Sequence, residues 1–184
     1  QIKRTSIKPI VNKKDQRASD CGLDPITGLP DGKSIAFFDF ISLELVPMIQ
    51  KEYRTTNFKI IAGHDTTAAF LNFFLYQDKP LFNAYISLSP ELPVSMEDKL
   101  PEIIASSSIQ LFYYLSSAEG DEQKMKQRIK KLDASLSVIK NPLLKYKSDY
   151  FNQASHYSMV LNSIPSSLYQ IFAALQPISV QEYN

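Results

Sequence analysis

The stretch from Phe58 to Tyr76, Phe-Lys-Ile-Ile-Ala-Gly-His-Asp-Thr-Thr-Ala-Ala-Phe-Leu-Asn-Phe-Phe-Leu-Tyr, holds two kinds of secondary structure with one sharp corner between them. Phe58, Lys59, Ile60, Ile61 and Ala62 are β-favouring, mostly apolar and too few for a helix, so they predict a buried strand. From Thr66 to about Tyr76 the chain carries Ala68, Ala69, Phe70, Leu71, Phe73, Phe74 and Leu75, with Asn72 the one polar residue away from the ends. A helix that is apolar nearly all round is a central one. Asp65 sits at the corner.

Strand, Gly-x-residue-x, helix is the layout of the nucleophile elbow, in which the turn lifts one side chain above the end of a sheet. Gly63-His64-Asp65-Thr66-Thr67-Ala68 puts a carboxylate at the raised position and lacks both the serine and the second glycine of Gly-x-Ser-x-Gly. A plainer reading of the same residues makes Asp65 a helix cap, accepting from the Thr67 or Ala68 N–H.

The flanks narrow the choice. Phe38-x-Phe40-Ile41-x-x-Glu44-Leu45-Val46-Pro47-x-Ile49-x-x-x-Tyr53, then Ile61-Ala62-Gly63-His64, then Pro80-x-Phe82-x-Ala84-Tyr85-Ile86-Ser87-Leu88-Ser89-Pro90, and finally Ser155-His156-Tyr157-Ser158 follow one another in order. Together they resemble the esterase family that includes S-formylglutathione hydrolase and enterochelin-esterase-like proteins, over most of the chain from about Arg4 to Leu175. The resemblance implies an α/β-hydrolase fold with a triad of serine, acid and histidine, and at the serine position this chain has Asp65. It also implies several strands ahead of Arg4-Thr5-Ser6-Ile7-Lys8-Pro9, one of them supplying half of the oxyanion hole, for which the sequence has no counterpart. The expectation is therefore either a fragment of a longer chain or a smaller sheet whose exposed edge a partner, such as a second copy in a homo-oligomer, covers.

With 184 residues and 44% hydrophobic content the chain is long enough for a sizeable core, and one α/β domain over 1–184 is expected, with 1–33 a long loop and 34–178 the body. Twenty basic against 19 acidic residues leave a net charge of +1, which gives no long-range field and no reason to expect nucleic acid. No segment approaches the roughly 20 apolar residues of a membrane span. No motif calls for a cofactor or a metal. Cys21 is the single cysteine, so no intrachain disulfide forms, and compartment stays open between cytoplasmic and periplasmic or secreted after removal of a leader.

Ile2 to Lys33 is polar and rich in Asp, Pro and Gly, and predicts a surface loop with a short extended piece at Ile7–Val11. Ser34 is the expected N-cap of a helix to about Tyr53, kinked where Pro47 withholds the N–H due to the Leu43 carbonyl; Phe38, Ile41, Leu45, Met48 and Ile49 form its apolar stripe. A second strand is expected over Phe82–Leu88, ended by Ser89-Pro90. A helix follows over Met96–Ser107, entered through Ser95 and broken or restarted at Pro101. Ile109–Leu115 is the next strand, and Glu122 to about Val138 a helix with Met125, Ile129, Leu132 and Leu136 inward. A short strand at Leu143–Lys147, a loop over Asp149–Tyr157 and a last helix with Pro165 in its first turn and Leu168, Ile171, Phe172 and Leu175 on its core face complete the pattern. Strands alternating with helices predict a mostly parallel sheet in a three-layer α/β/α sandwich, with ligands at the carboxyl ends of the strands.

Asp65, Glu119 and His156 all follow predicted strands at that end. His156 stands where a general base is expected, and Glu119 where the acid that orients the imidazole would be, with Asp121 equally available. His64 and Thr66 flank the corner and are candidates to line a substrate site. A carboxylate that attacked an ester carbonyl would form a mixed anhydride, and a leaving group of pKa about 4 is expelled again far more readily than an alkoxide. Ordinary ester turnover through Asp65 is thus disfavoured, and a scaffold that binds a small ligand or a partner is the first reading. The alternatives are an active carboxylic-ester hydrolase using another nucleophile, or attack by Asp65 on saturated carbon, as in epoxide hydrolases and haloalkane dehalogenases, with His156 activating water.

Overall fold

Successive side chains of a strand point to opposite faces of the sheet, and in this chain both faces are apolar. In the computed structural model, which describes residues 16–175, four strands form one parallel sheet in the order β1 (Ile60–His64), β2 (Ala84–Leu88), β3 (Leu111–Gly120), β4 (Leu144–Ser155). Ile61, Tyr85, Tyr113 and Tyr146 stand in register across it and belong to one core, while the neighbouring row Ile60, Ala84 and Phe112 belongs to the other. All five residues of β2 are buried, as expected of a central parallel strand.

Parallel strands laid down in sequential order with right-handed crossovers send their connecting helices to a single face. On that face α4 (Thr66–Phe73), α5 (Met96–Ala105) and α6 (Gln123–Ser137) bury Phe70, Leu71, Leu100, Ile104, Ile129 and Leu132 against the tyrosine row. The other face takes α7 (Val160–Leu175), with Ile171 buried and Ile164 and Leu168 half-buried. This is the expected arrangement of helices on both sides of a parallel sheet. Asn72, polar inside the apolar α4, is satisfied there: the Tyr113 hydroxyl donates to its Oδ1 at 2.8 Å and its Nδ2 donates to Met96 Sδ at 3.7 Å.

Several boundaries differ from expectation, each for an identifiable reason. The extended piece expected at Ile7–Val11 falls outside the described residues. Within the expected loop to Lys33 lie a short helix, α1 (Gln16–Asp20), and a turn in which Asp24 Oδ1 accepts from the Ile26 and Thr27 N–H groups and the Thr27 hydroxyl. An antiparallel bridge between Leu23 and Pro30 closes that turn, and Val94 and Ser95 N–H groups donate to Pro25 and Ile26 carbonyls. The next helical stretch begins one residue before Ser34, as α2 (Lys33–Asp39), and Ser34 is buried with its hydroxyl on the Asp31 carbonyl at 2.8 Å. Instead of a kink at Pro47, the chain widens into a π-helical turn over Phe40–Leu45, with the Val46 N–H reaching back five residues to Ile41. That wider turn absorbs the missing proline donor, and α3 (Val46–Glu52) starts with Pro47 in its first turn. Phe38, Ile41 and Leu45 are half-buried, but Met48 and Ile49 are exposed.

Pro101 neither breaks nor restarts α5, which runs through it. Strand β3 extends five residues beyond Leu115 and β4 extends through most of the expected Asp149–Tyr157 loop, because the two pair from Leu111↔Leu144 to Ala118↔Phe151 and again at Gly120↔Ser155. The polar content of β4 hid it: as the outer strand it alternates exposed Lys145, Lys147 and Ser148 with half-buried residues, which sequence reads as loop. Helix α7 begins five residues ahead of Pro165, leaving the proline in its second turn, and Phe172 is half exposed at 50%. The side chain of Leu175 falls outside the described set. No helix among the described residues is long and apolar enough to cross a membrane.

Candidate active site

The corner at Asp65 is built from backbone requirements before any side-chain chemistry is considered. Strand β1 ends at His64, Asp65 adopts φ 61° and ψ −126°, and α4 begins at once with Thr66. A non-glycine residue in that region stores roughly 1–3 kcal/mol of strain. Burial of Phe70, Leu71 and Phe74 behind it supplies about 1.5–3 kcal/mol each, so the packed helix holds the turn in place. Gly63 is needed for the close approach: a Cβ there would lie 2.5 Å from the Thr67 carbonyl oxygen and 2.8 Å from Leu71. Thr67 closes the corner, its hydroxyl donating to the His64 carbonyl at 2.8 Å and accepting from the His64 N–H at 2.9 Å. Asp65 makes no side-chain cap bond to the helix, so the plain capping role is excluded and its carboxylate is left for the surface.

His156 follows β4 and Asp121 follows β3. His156 Nδ1 is 2.7 Å from Asp121 Oδ1, and the Asp121 carboxylate is fully buried. Its Oδ2 accepts from the Ala118 N–H at 2.8 Å and from the Ser89 hydroxyl at 2.7 Å. On the opposite side of the ring, His156 Nε2 is 3.8 Å from Asp65 Oδ1. The fold thus brings Asp65, His156 and Asp121 together.

Glu119 is not in that group. It lies inside the paired part of β3, where its carboxylate accepts a long bond from the Gln153 N–H at 3.4 Å and its carbonyl accepts from Lys126 Nζ at 2.9 Å. The longer ladder is the reason, since the turn that frees a carboxylate toward the imidazole comes at Asp121, the second of the two positions the sequence offered. His64 supports the site from beneath: its Nε2–H donates to the His156 carbonyl at 2.9 Å and the two rings are 4.3 Å apart. Burial, and then the neighbouring His156 imidazole, pull the His64 pKa below its ordinary value. Thr66 donates its hydroxyl to Glu91 Oε2 at 3.1 Å.

Asp65 and Thr66 line a cleft of about 730 Å³ whose walls include Leu23, Ile26, Leu92 and Arg128. Ser89 and Glu91 are contributors that sequence reading passed over. Ser89-Pro90 reads as a strand terminator in the sequence, whereas in the structure Ser89 has a φ of 41° and its hydroxyl holds Asp121.

Neither a protein-family model nor a curated protein matches the chain. Solved structures do. An uncharacterised protein from Capnocytophaga ochracea superposes with a TM-score of 0.79 at 24% identity, covering 92% of this chain and 48% of that one. An IroE-like serine hydrolase from Shewanella oneidensis gives 0.75 at 19%, covering 89% and 59%, and the siderophore hydrolase EstA from Aspergillus nidulans gives 0.66 at 17%, covering 91% and 69%. The chain therefore has an α/β-hydrolase-like fold and spans about half to two thirds of the length of these neighbours.

Proposed function

We propose that this chain is a hydrolase-fold protein that has lost ordinary ester turnover and uses the cleft beside Asp65 to bind a small ligand. The observation that carries this reading is the carboxylate at the elbow facing His156 Nε2 at 3.8 Å. In the serine arrangement the imidazole takes a proton from a hydroxyl and so creates the attacking alkoxide. A carboxylate has no such proton to give, and if it attacked the ester carbonyl the tetrahedral adduct would expel the carboxylate again in preference to the alkoxide, returning the substrate without forming the mixed anhydride. His156, with Asp121 behind it, is left as a base without a nucleophile to activate. Siderophore hydrolase activity in a neighbour of the same fold suggests the first ligands to try, ester-linked iron chelators, as molecules held intact.

The test is a comparison of the natural protein with Asp65→Ser. The natural protein is expected to bind without hydrolysing p-nitrophenyl esters or ester-linked siderophores, and the serine variant to gain turnover of at least about 100-fold over background, the lower range of general-base catalysis. That gain should vanish when His156→Ala is added. Hydrolysis by the natural protein that survives Asp65→Ala would overturn the reading.

A second reading has one observation in its favour: the Asp65 carboxylate is uncapped and lines the open cleft. Attack by it on saturated carbon would break the bond to a leaving group and form an alkyl ester on Asp65. Water deprotonated by His156 would then add to the Asp65 carboxyl carbon and release the alcohol. Single-turnover mass spectrometry with an epoxide or a haloalkane decides this, since it requires an adduct on the peptide containing Asp65.

A further inference from the structure

We infer that Ser89 is a positioning residue, whose hydroxyl fixes the Asp121 carboxylate and through it the orientation of the His156 ring. The inference rests on the reading that Asp121 serves His156, but it concerns how the pair is held and not whether anything is turned over.

Asp121 Oδ2 has two donors of different character. Ala118 N–H lies three residues back, where β3 runs into the turn, and Asp121 N–H returns a bond to the Ala118 carbonyl at 3.2 Å, so this donor comes from the strand that leads into Asp121. Ser89 lies 32 residues away at the end of β2, and its hydroxyl reaches the same oxygen at 2.7 Å. It ties the carboxylate to the end of the neighbouring strand. Ser89 is itself anchored, because its N–H donates to the Ser116 carbonyl of β3 at 2.8 Å, and it is fully buried. Among the described residues the Ser89 hydroxyl and the His156 ring are the two side chains that hold Asp121.

The backbone gives a second, independent indication. Ser89 has a φ of 41°, in the left-handed region that favours glycine. A glycine would relieve the turn but leave Oδ2 with only the Ala118 N–H, so that the carboxylate is held less firmly against rotation about the Cβ–Cγ bond. Rotation would carry Oδ1 away from His156 Nδ1, and with it the tautomer that keeps Nε2 facing Asp65. A side chain retained where glycine fits better is consistent with the hydroxyl being required.

The experiment reads the imidazole directly, so its outcome is separate from any result on hydrolysis. The chain has two histidines, and in protein labelled with nitrogen-15 histidine the His156 Nδ1–H is assigned by its loss in Asp121→Asn and the His64 Nε2–H by its loss in His64→Gln. In Ser89→Gly, which suits the backbone and deletes the hydroxyl, the His156 Nδ1–H signal is expected to move upfield and to exchange with solvent at least about 10-fold faster, with the His64 signal unchanged. Ser89→Cys, a weaker donor of similar size, should be intermediate, and it serves alone if the glycine variant fails to fold. A His156 signal with natural shift and exchange rate in either folded variant overturns the inference.

Discussion

Asp65 Oδ1 faces His156 Nε2 across 3.8 Å, too far for a hydrogen bond, while the other ring nitrogen is held at 2.7 Å by Asp121. With Nδ1 donating to Asp121, a neutral ring presents a lone pair to an anion, and the contact becomes an ion pair only when the ring carries both protons. The Asp65 carboxylate therefore makes neither a hydrogen bond to the imidazole nor a regular helix cap, yet the chain keeps its strained turn. The cost of that turn is measurable.

Asp65→Gly should raise the unfolding free energy by about 1 kcal/mol, because glycine enters the region at φ 61°, ψ −126° without the penalty a Cβ brings. For a chain of this size that is a rise in Tm of roughly 2–4 °C. Asp65→Ala, which keeps the Cβ, should show no comparable gain. Equal melting temperatures for the two variants would mean that the turn stores no strain.

Gly63→Ala is expected to destabilise the protein by on the order of 3 kcal/mol, since its Cβ would meet the Thr67 carbonyl at 2.5 Å, a backbone atom that cannot move without moving α4. Gly32→Ala is the contrast. A Cβ there meets nothing within 4 Å, and only its φ of 58° opposes the change, so about 1 kcal/mol is expected. Urea midpoints for the two variants give the comparison directly.

The pH dependence of stability should carry a contribution from His64. Asp65, Asp121 and His156 all face it, but burial and the second imidazole dominate and lower its folded pKa below 6.5. As pH falls through 6.5 the unfolded chain therefore takes up the proton first, and stability that is complete above that value is lost until the folded His64 protonates as well. The urea midpoint should fall between about pH 7.5 and about pH 5.5, and His64→Gln should flatten that fall. An unchanged slope in the variant would remove His64 as its source.

Cys21 should behave as an inert thiol. Burial, followed by the charge of Asp20, pushes its pKa up to about 11, so little thiolate exists at neutral pH. Its alkylation by iodoacetamide at about pH 8 should be roughly 100-fold slower in the folded protein than in urea. Rapid labelling of the folded chain would contradict the burial seen at this position.

The strand–turn–helix corner at Asp65 was legible in the sequence because its signals are local: an apolar run, a glycine, a polar corner and a second apolar run occupy consecutive positions. Strands β1 and β2 and helices α4 and α6 were legible for the same reason, through periodicity and composition. What the sequence concealed depends on pairing between distant segments. Strand β4 is the outer strand of the sheet among the described residues, and its length is set by β3, so neither its extent nor the choice between Glu119 and Asp121 could be read from residues 144–155 alone. The link from Ser89 to Asp121 spans two strands and leaves no pattern in either. Pro47 and Pro101 misled in a related way, since one was read as a kink and the other as a break and both sit in continuous helix, while Pro165, read as a first-turn residue, lies one turn further in.

Gly120 and Ser155 are register partners at the far end of the β3–β4 ladder, and a Cβ on Gly120 would come within 2.7 Å of the Ser155 backbone. Asp121 and His156 are the residues immediately after that closure, so their meeting is fixed by one shared rung. Asp65 arrives from the opposite border of the sheet, with β2 lying in between. The link from that border to the pair is the His64 ring and not the Asp65 side chain, so whatever residue occupies the corner at 65 can be exchanged while the imidazole and its buried carboxylate remain a standing fixture.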